Sequence, residues 1–177
     1  MLGTDPEGRG GIASVIRLYE QAGLFRRFGV RYLPTHCDGS TFRKAWYAVS
    51  ALARYLVALA SRPVLVHIHV ASRASFWRKS PFFLLAFLGR VPAILHLHGA
   101  EFELFYAREC GPLRQAFVRY VFDRCARVIV LSTAWQTWAR SISRNPDIVV
   151  VYNPVGVPDP APSRDERRPG DVLFLGR

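Results

Sequence analysis

The chain is short of acid. Against 24 Lys and Arg it sets only 13 Asp and Glu, a formal charge of +11 over 177 residues. That balance disfavours basic partners and favours phosphates, anionic lipid headgroups or nucleic acid. The basic residues come as scattered pairs, Arg26-Arg27, Arg43-Lys44, Arg78-Lys79 and Arg167-Arg168, with no continuous tail, which is also how an ordinary solvated face reads. Cysteine is scarce as well. Cys37, Cys110 and Cys125 are odd in number and form no CxxC pair, which argues against a disulfide framework or a structural zinc site and fits a reducing cytosol. Long apolar runs are missing: "PFFLLAFLG" is about half the roughly 20 residues that a bilayer-crossing helix needs. The polar, Gly-rich opening "MLGTDPEGRGG" does not read as a signal peptide. There is no internal repeat.

What is present is enough apolar material, 50% hydrophobic and 13% aromatic residues, for one sizeable packed domain. Apolar β-prone runs alternate with segments of helical period: "VRYLP", then 41–60, "VLVHIHV", then 75–88, "AILHLHG", then 112–122, "RVIVLS", then 134–142, and "DIVVVYNP". Strand and helix by turns predict an α/β fold, a Rossmann-like parallel sheet with helices on both faces, joined by right-handed crossovers. In a doubly wound sheet of the dinucleotide-binding kind the first strand lies centrally, with the second and then the third on one side and the fourth on the other. In 41–60, Phe42, Trp46, Val49, Ala53, Leu56 and Ala60 recur at helical spacing, so that face is expected to be buried, the alternative being contact with a membrane surface. Both ends read as cut. Only Met1 and Leu2 precede the Gly-rich turn, where a full first strand is expected. The Pro-rich, charged stretch 154–170 reads as a linker, and 171–177, "DVLFLGR", as the first strand of another domain.

In open parallel sheets ligands sit beyond the carboxyl ends of the strands. Three places qualify. In "PEGRGGIASVI" glycines lead into a helix beginning near Ile12; glycine lets the backbone approach a phosphate, and the helix start offers free N–H groups and a positive dipole end. The plainer reading is a tight turn. The other two places are histidine pairs. Alternate strand residues share a face, so His67 and His69 point one way, as do His96 and His98. The inner members, His67 and His96, are expected to be buried, and His69 and His98 to lie near the strand ends. Four histidines suit a metal only if they converge, and no acid or cysteine has the spacing of a zinc motif, so no metal is expected. Behind His98, Gly99 permits a sharp turn that brings Glu101 to the same rim, where an imidazole and a carboxylate can hydrogen-bond sugar hydroxyls or meet a developing phosphate charge. A capping Glu beside a core His is the alternative. "GRGGIA" also satisfies a dinucleotide-binding fingerprint with Asp38 as ribose ligand, which keeps an oxidoreductase open. A non-catalytic polyanion-binding module would explain the charge, but the aromatics fall at core spacing, which speaks against nucleic acid.

"GRGGIASVI", "VHIHVASRASFWRKSPFFLLAF", "AILHLHGAEFELFY", "YVFDRCARVIVLS" and "VVVYNPV" resemble, in order, the amino-terminal domain of family 4 retaining glycosyltransferases of the GT-B fold. The resemblance covers nearly the whole chain. It implies an acceptor-side domain over 1–153 with an incomplete first strand, and a missing donor-binding domain that begins at 171–177. It implies transfer from a nucleotide-sugar to a saccharide or lipid-linked acceptor in bacterial surface polysaccharide or glycoconjugate synthesis, with no cofactor and no metal. Gly10 and Gly11 match the loop near the donor diphosphate. His98 matches the histidine that faces the donor sugar, which makes His98 and Glu101 the candidate catalytic residues. Arg9, His69, Arg73 and Asn153 are the cleft-lining or acceptor-side candidates; Asn153 matches a junction asparagine usually followed by glycine, where this chain has Pro154. The family's donor-site acids and its phosphate-neutralising Arg and Lys lie in the second domain, so 1–177 alone is expected to be inactive. Its location is expected to be cytoplasmic, with peripheral contact at an anionic inner membrane face.

Overall fold

The protein is described by a computed structural model that covers residues 1–8, 10–36 and 40–156. Arg9, Asp38 and the segment 157–177, which holds most of the expected linker and the expected strand at 171–177, lie outside the described residues. The elements in chain order are β1 (Leu2–Gly3), α1 (Gly11–Gln21), α2 (Leu24–Arg27), β2 (Leu33–Pro34), α3 (Thr41–Ala60), β3 (Val66–Val70), α4 (Ala74–Leu88), β4 (Ala93–Leu97), α5 (Phe102–Leu104), a π-helical turn (Phe105–Glu109), α6 (Pro112–Arg124), β5 (Arg127–Val130), α7 (Thr133–Ile142) and β6 (Ile148–Val150).

The six strands form one parallel sheet in the order β2-β1-β3-β4-β5-β6. This corrects the expected order. The first strand is flanked by the second and the third, not by the second and the fourth, so the chain reverses direction between β1 and β3. With right-handed crossovers, that reversal puts α1 on one face of the sheet and α3, α4, α6 and α7 on the other.

Strand alternation then sorts the side chains. Ile68, Val70, Leu95, Leu97, Val128 and Val130 join Phe76, Phe83, Val118, Phe122 and Ala139 in the main core. The intervening residues His67, His69 and His96 face α1, where the Tyr19 ring lies 6.2 Å from that of His69. β3 and β4 pair over five residues, with His69 opposite His96, and the amide of His98 donates to the Val70 carbonyl at 2.7 Å, carrying the ladder one step further.

Helix α3 has the expected boundaries but the wrong face inward. Ala51 and Tyr55 are buried, and the Tyr55 hydroxyl donates to the Phe82 carbonyl at 2.9 Å. The stripe expected in the core is exposed instead: Phe42 is 82% accessible, Trp46 68% and Val49 63%. The helix is apolar nearly all round, and periodicity alone does not tell which of two apolar faces packs.

Beyond β4 the segment "FELFY", given no regular structure by the sequence, is held by aromatic anchors. Phe102 and Phe105 are buried, and Phe102 packs edge-on against Phe76 at 5.6 Å and Trp138 at 5.8 Å. The turn into this segment rests on Gly99. A β-carbon there would stand 2.7 Å from the Ser72 amide nitrogen and 2.6 Å from its hydroxyl. The loops after β3 and β4 thus touch only because residue 99 lacks a side chain. We expect Gly99→Ala to cost about 1–3 kcal/mol of stability, whereas Gly111→Ala, whose β-carbon meets nothing within 4 Å, stays within about 0.5 kcal/mol. Paired urea titrations check this, and equal midpoints for the two variants would contradict it.

Candidate functional site

Where the chain reverses between β1 and β3, the carboxyl ends of the strands splay apart and leave a cleft of about 250 Å³. Thr4 follows β1, Ala71 follows β3, His98 follows β4 and Asn153 follows β6, and the floor is the start of α1, Gly10 to Ala13. Gly10 caps this helix at φ 128°, a backbone conformation open to glycine, and no side chain caps the helix start. A β-carbon at Gly10 or Gly11 would meet nothing within 4 Å, so the first amides of α1 face open space. Such a start offers unpaired N–H groups and the positive end of the helix dipole, both of which favour negative charge.

Of the residues expected at the site, Gly10, Gly11, His98 and Asn153 are brought into this one cleft. Glu101, expected at the same rim as His98, and Arg73 are not among the cleft's lining residues; the two stand together outside it. The Arg73 guanidinium pairs with Glu101 and also holds Glu109, with 2.8 Å from Nε to Oε1. Both carboxylates keep the arginine fully charged, its pKa raised above the usual value chiefly by the hydrogen bond to Glu109. Arg73 adopts φ 56°, a left-handed conformation that non-glycine residues reach at a cost, just before α4. Glu101 sits at the N-cap position of α5 without a side-chain capping bond, so it is neither a cap nor a free carboxylate.

His69 was expected at the cleft and is instead fully enclosed, with no accessible surface. It lies under His98, and its Nδ1 is 2.8 Å from His98 Nε2. His96 is buried as expected, while His67 keeps some exposure and pairs with it, Nε2 to Nδ1, at 3.1 Å. The four imidazoles therefore form one stack of two hydrogen-bonded pairs. Neighbouring rings lie 4.2–5.2 Å apart. Burial lowers the pKa of His98 to about 3, helped by His96, Lys79 and His67, and lowers His67 to about 3 and His96 to about 4. His69 is pushed well below its ordinary value for the same first reason. All four are neutral at pH 7, so each hydrogen-bonded pair shares one proton, and the tautomer of His98 is coupled to that of His69.

The nitrogens of His67, His69 and His96 all fall within 4.8 Å of one another, a convergence that the sequence did not show. Convergence is not yet chelation. The nearest nitrogens of His67 and His96 are engaged with each other at 3.1 Å, and Nδ1 of His69 is engaged with His98. The enclosed Lys79 adds positive charge nearby; burial brings its pKa down to about 7, and its Nζ donates to Ser75 Oγ at 3.2 Å. Sequence reasoning missed Lys79 and the backbone of Thr4, Ile12 and Ala71. Lys79 was legible, because Phe76, Lys79 and Phe83 share one face of α4.

This arrangement is that of a Rossmann-like α/β domain with a ligand cleft at its switch point. The strand order differs from the 3-2-1-4 arrangement of dinucleotide-binding domains, which speaks against an oxidoreductase. The chain belongs to the family of the glycosyl transferase 4-like domain, whose model matches residues 4–154. It is a glycosyltransferase domain, and its substrates are a sugar donor and an acceptor. No curated protein and no solved structure matches it.

The histidine stack fixes how stability depends on pH. Each lowered pKa means that the unfolded chain binds a proton near pH 6.5 that the folded chain binds only near pH 3 to 4. The contribution of the histidines to stability is then full above pH 6.5 and falls as pH drops toward 4, with a slope of about 1.4 kcal/mol per pH unit for each such group. We expect Tm to fall steeply from pH 6.5 to 4.5, and His96→Gln to flatten the fall. A Tm constant over that range would contradict the buried, neutral stack.

Proposed function

We propose that the cleft receives the diphosphate of a nucleotide-sugar at the start of α1, with the transferred sugar facing His98, in a retaining enzyme of the GT-B kind. The observation that carries this reading is the uncapped start of α1, opened by Gly10, in one cleft with an imidazole that is neutral at pH 7. A neutral imidazole lines the cleft without adding charge, and with His98 Nε2 engaged by His69 only its Nδ1 is left without a partner among the described residues. His69 is read as a positioning residue: when its Nδ1–H donates to His98 Nε2, the proton of His98 sits on Nδ1, a nitrogen that is buried and has no partner among the described residues. Arg73, with Glu101 and Glu109, forms the acceptor-side rim. Asn153 lines the same cleft beside Pro154.

On this reading 1–153 is the acceptor-side domain, 154–170 the linker and 171–177 the opening strand of a donor-binding domain that supplies the rest of the charge for the leaving diphosphate. The acceptor is a saccharide or a lipid-linked saccharide of a bacterial surface polysaccharide or glycoconjugate, handled at the cytoplasmic face of the membrane. No metal or other cofactor takes part, since the helix start and the second domain meet the phosphate charge between them.

Two experiments test this. Gly11 has room for a side chain and no left-handed φ, so Gly11→Glu is compatible with the helix and sets a carboxylate over its positive end. It should leave Tm unchanged or raise it, and weaken binding of a uridine or guanosine diphosphate sugar at least about tenfold, as expected for a like charge at an anion site. Equal affinity for the variant and the parent chain would remove the diphosphate from this place. Zn²⁺ in excess should leave Tm where it is; a rise of several degrees would instead identify the histidine stack as a metal site.

A further inference from the structure

Lys79 is buried in company that does not suit an amine. It lies on the inward face of α4 between Phe76 and Phe83, and none of the three has accessible surface. Among the described residues its hydrogen-bond partner is Ser75 Oγ at 3.2 Å, and no carboxylate pairs with it. The titratable groups that reach it are Arg78 beside it on α4 and the imidazoles of His69 on β3 and His98 just after β4. The helices α3 and α6, which also pack on α4, add no charge that shifts it among the described residues. A methionine of similar volume would fill this place without the cost of burying an amine that lacks a counter-ion. Packing therefore does not account for a lysine here.

What the amine touches is the turn after β3. Ser75 Oγ also accepts the Ala71 amide at 3.1 Å, and the Ser75 amide donates to the Ser72 carbonyl at 3.2 Å. No side chain caps the start of α4, and Arg73 in the middle of the turn holds φ 56°, so Ser75 is what ties turn and helix together. Ala71 lines the cleft, and Ser72 is the residue against which Gly99 closes directly after His98. One hydroxyl stands between the buried amine and two walls of the cleft.

We propose that Lys79 is a positioning residue of the cleft, acting through Ser75 on the turn of Ala71 and Ser72 and so on the seat of His98. A charged amine donates to Ser75 Oγ, and the hydroxyl oxygen then accepts two N–H groups. A neutral amine accepts the hydroxyl proton instead, and the bonds run from the Ala71 N–H to Ser75 and on to Lys79. The Ala71 amide thus meets a different acceptor in each state. Burial brings the pKa of Lys79 down to about 7, so both states occur near neutrality. The positioning of the turn is independent of any ligand; only its consequence for binding rests on the sugar-transfer reading.

The test compares the full chain with Lys79→Met and Ser75→Ala. Lys79→Met should raise Tm, and by more at about pH 6.5 than at about pH 9, because the penalty for the buried amine is full below its folded pKa and shrinks as pH rises toward its unfolded one. In the parent chain the NMR shift of the Ala71 amide should follow pH with a midpoint of about 7. Both variants should lose that titration, Ser75→Ala while still carrying the amine, which a charge acting through space would not do. The Met1 amino group, lowered to about 6, titrates nearby in all three chains and serves as the control. With uridine diphosphate glucose as probe, Lys79→Met should bind at least about tenfold more weakly, and the double variant no more weakly than the worse single one, as for two residues on one path. A fall in Tm for Lys79→Met, or an Ala71 amide that behaves alike in parent and variant, overturns the proposal and makes Lys79 a packing residue. Equal affinity for the probe with the titration lost overturns its bearing on the cleft. A parent chain that shows the Lys79-dependent titration and binds no probe supports the positioning of the turn and removes the diphosphate reading alone.

Discussion

The pairing of β3 with β4 is the constraint on which the site depends. Their parallel register sets His69 against His96, and one further bond, from the His98 amide to the Val70 carbonyl, fixes where β4 ends. Once those strands are side by side, four imidazoles share one sheet face beneath α1. Charging any one of them is opposed by burial, and for His67, His69 and His98 by neighbouring imidazoles as well, so the stack is stable only while neutral. The same register brings the loop at Ser72 against Gly99, which turns the chain and presents His98 to the cleft and Glu101 to Arg73. Fold, protonation state and rim geometry thus follow from one strand pairing.

A second consequence concerns the reversal between β1 and β3. Because β1 lies between β2 and β3, the cleft is floored by α1 and walled by the ends of β3, β4 and β6. Positive helix end and neutral imidazole then confront the same space. One suits a fixed negative charge and the other a hydroxyl, which is the pairing that a phosphate-linked sugar presents.

Much of this was legible in the residues. Strict alternation in "VLVHIHV" and "AILHLHG" put each histidine pair on one face, and the glycines before Ile12 marked the helix start. Other parts were not. Nothing in alternation records which strand lies beside which, so the order around β1 emerged only from the fold. The inner and outer roles of His67 and His69 depended on where α1 lies across the sheet: Tyr19 covers His69, which the position of His69 along its own strand does not reveal. The stripe on α3 had the right period for a core face, but Ala51 and Tyr55 on the other side form an equally apolar face, and the sheet took that one. The clamp of Arg73 on Glu101 and Glu109 joins residues far apart in sequence and needed the π-helical turn at Phe105–Glu109 to form.

The central claim is that the start of α1 and His98 together meet a phosphate-linked sugar. The direct measurement is an amide and imidazole NMR titration of the chain with a nucleoside diphosphate sugar. The account predicts that the largest shifts fall on Gly10, Gly11, Ile12 and the ring of His98, with the exposed face of α3 unmoved. Saturable binding that shifts other residues and leaves these four at their free positions would contradict it.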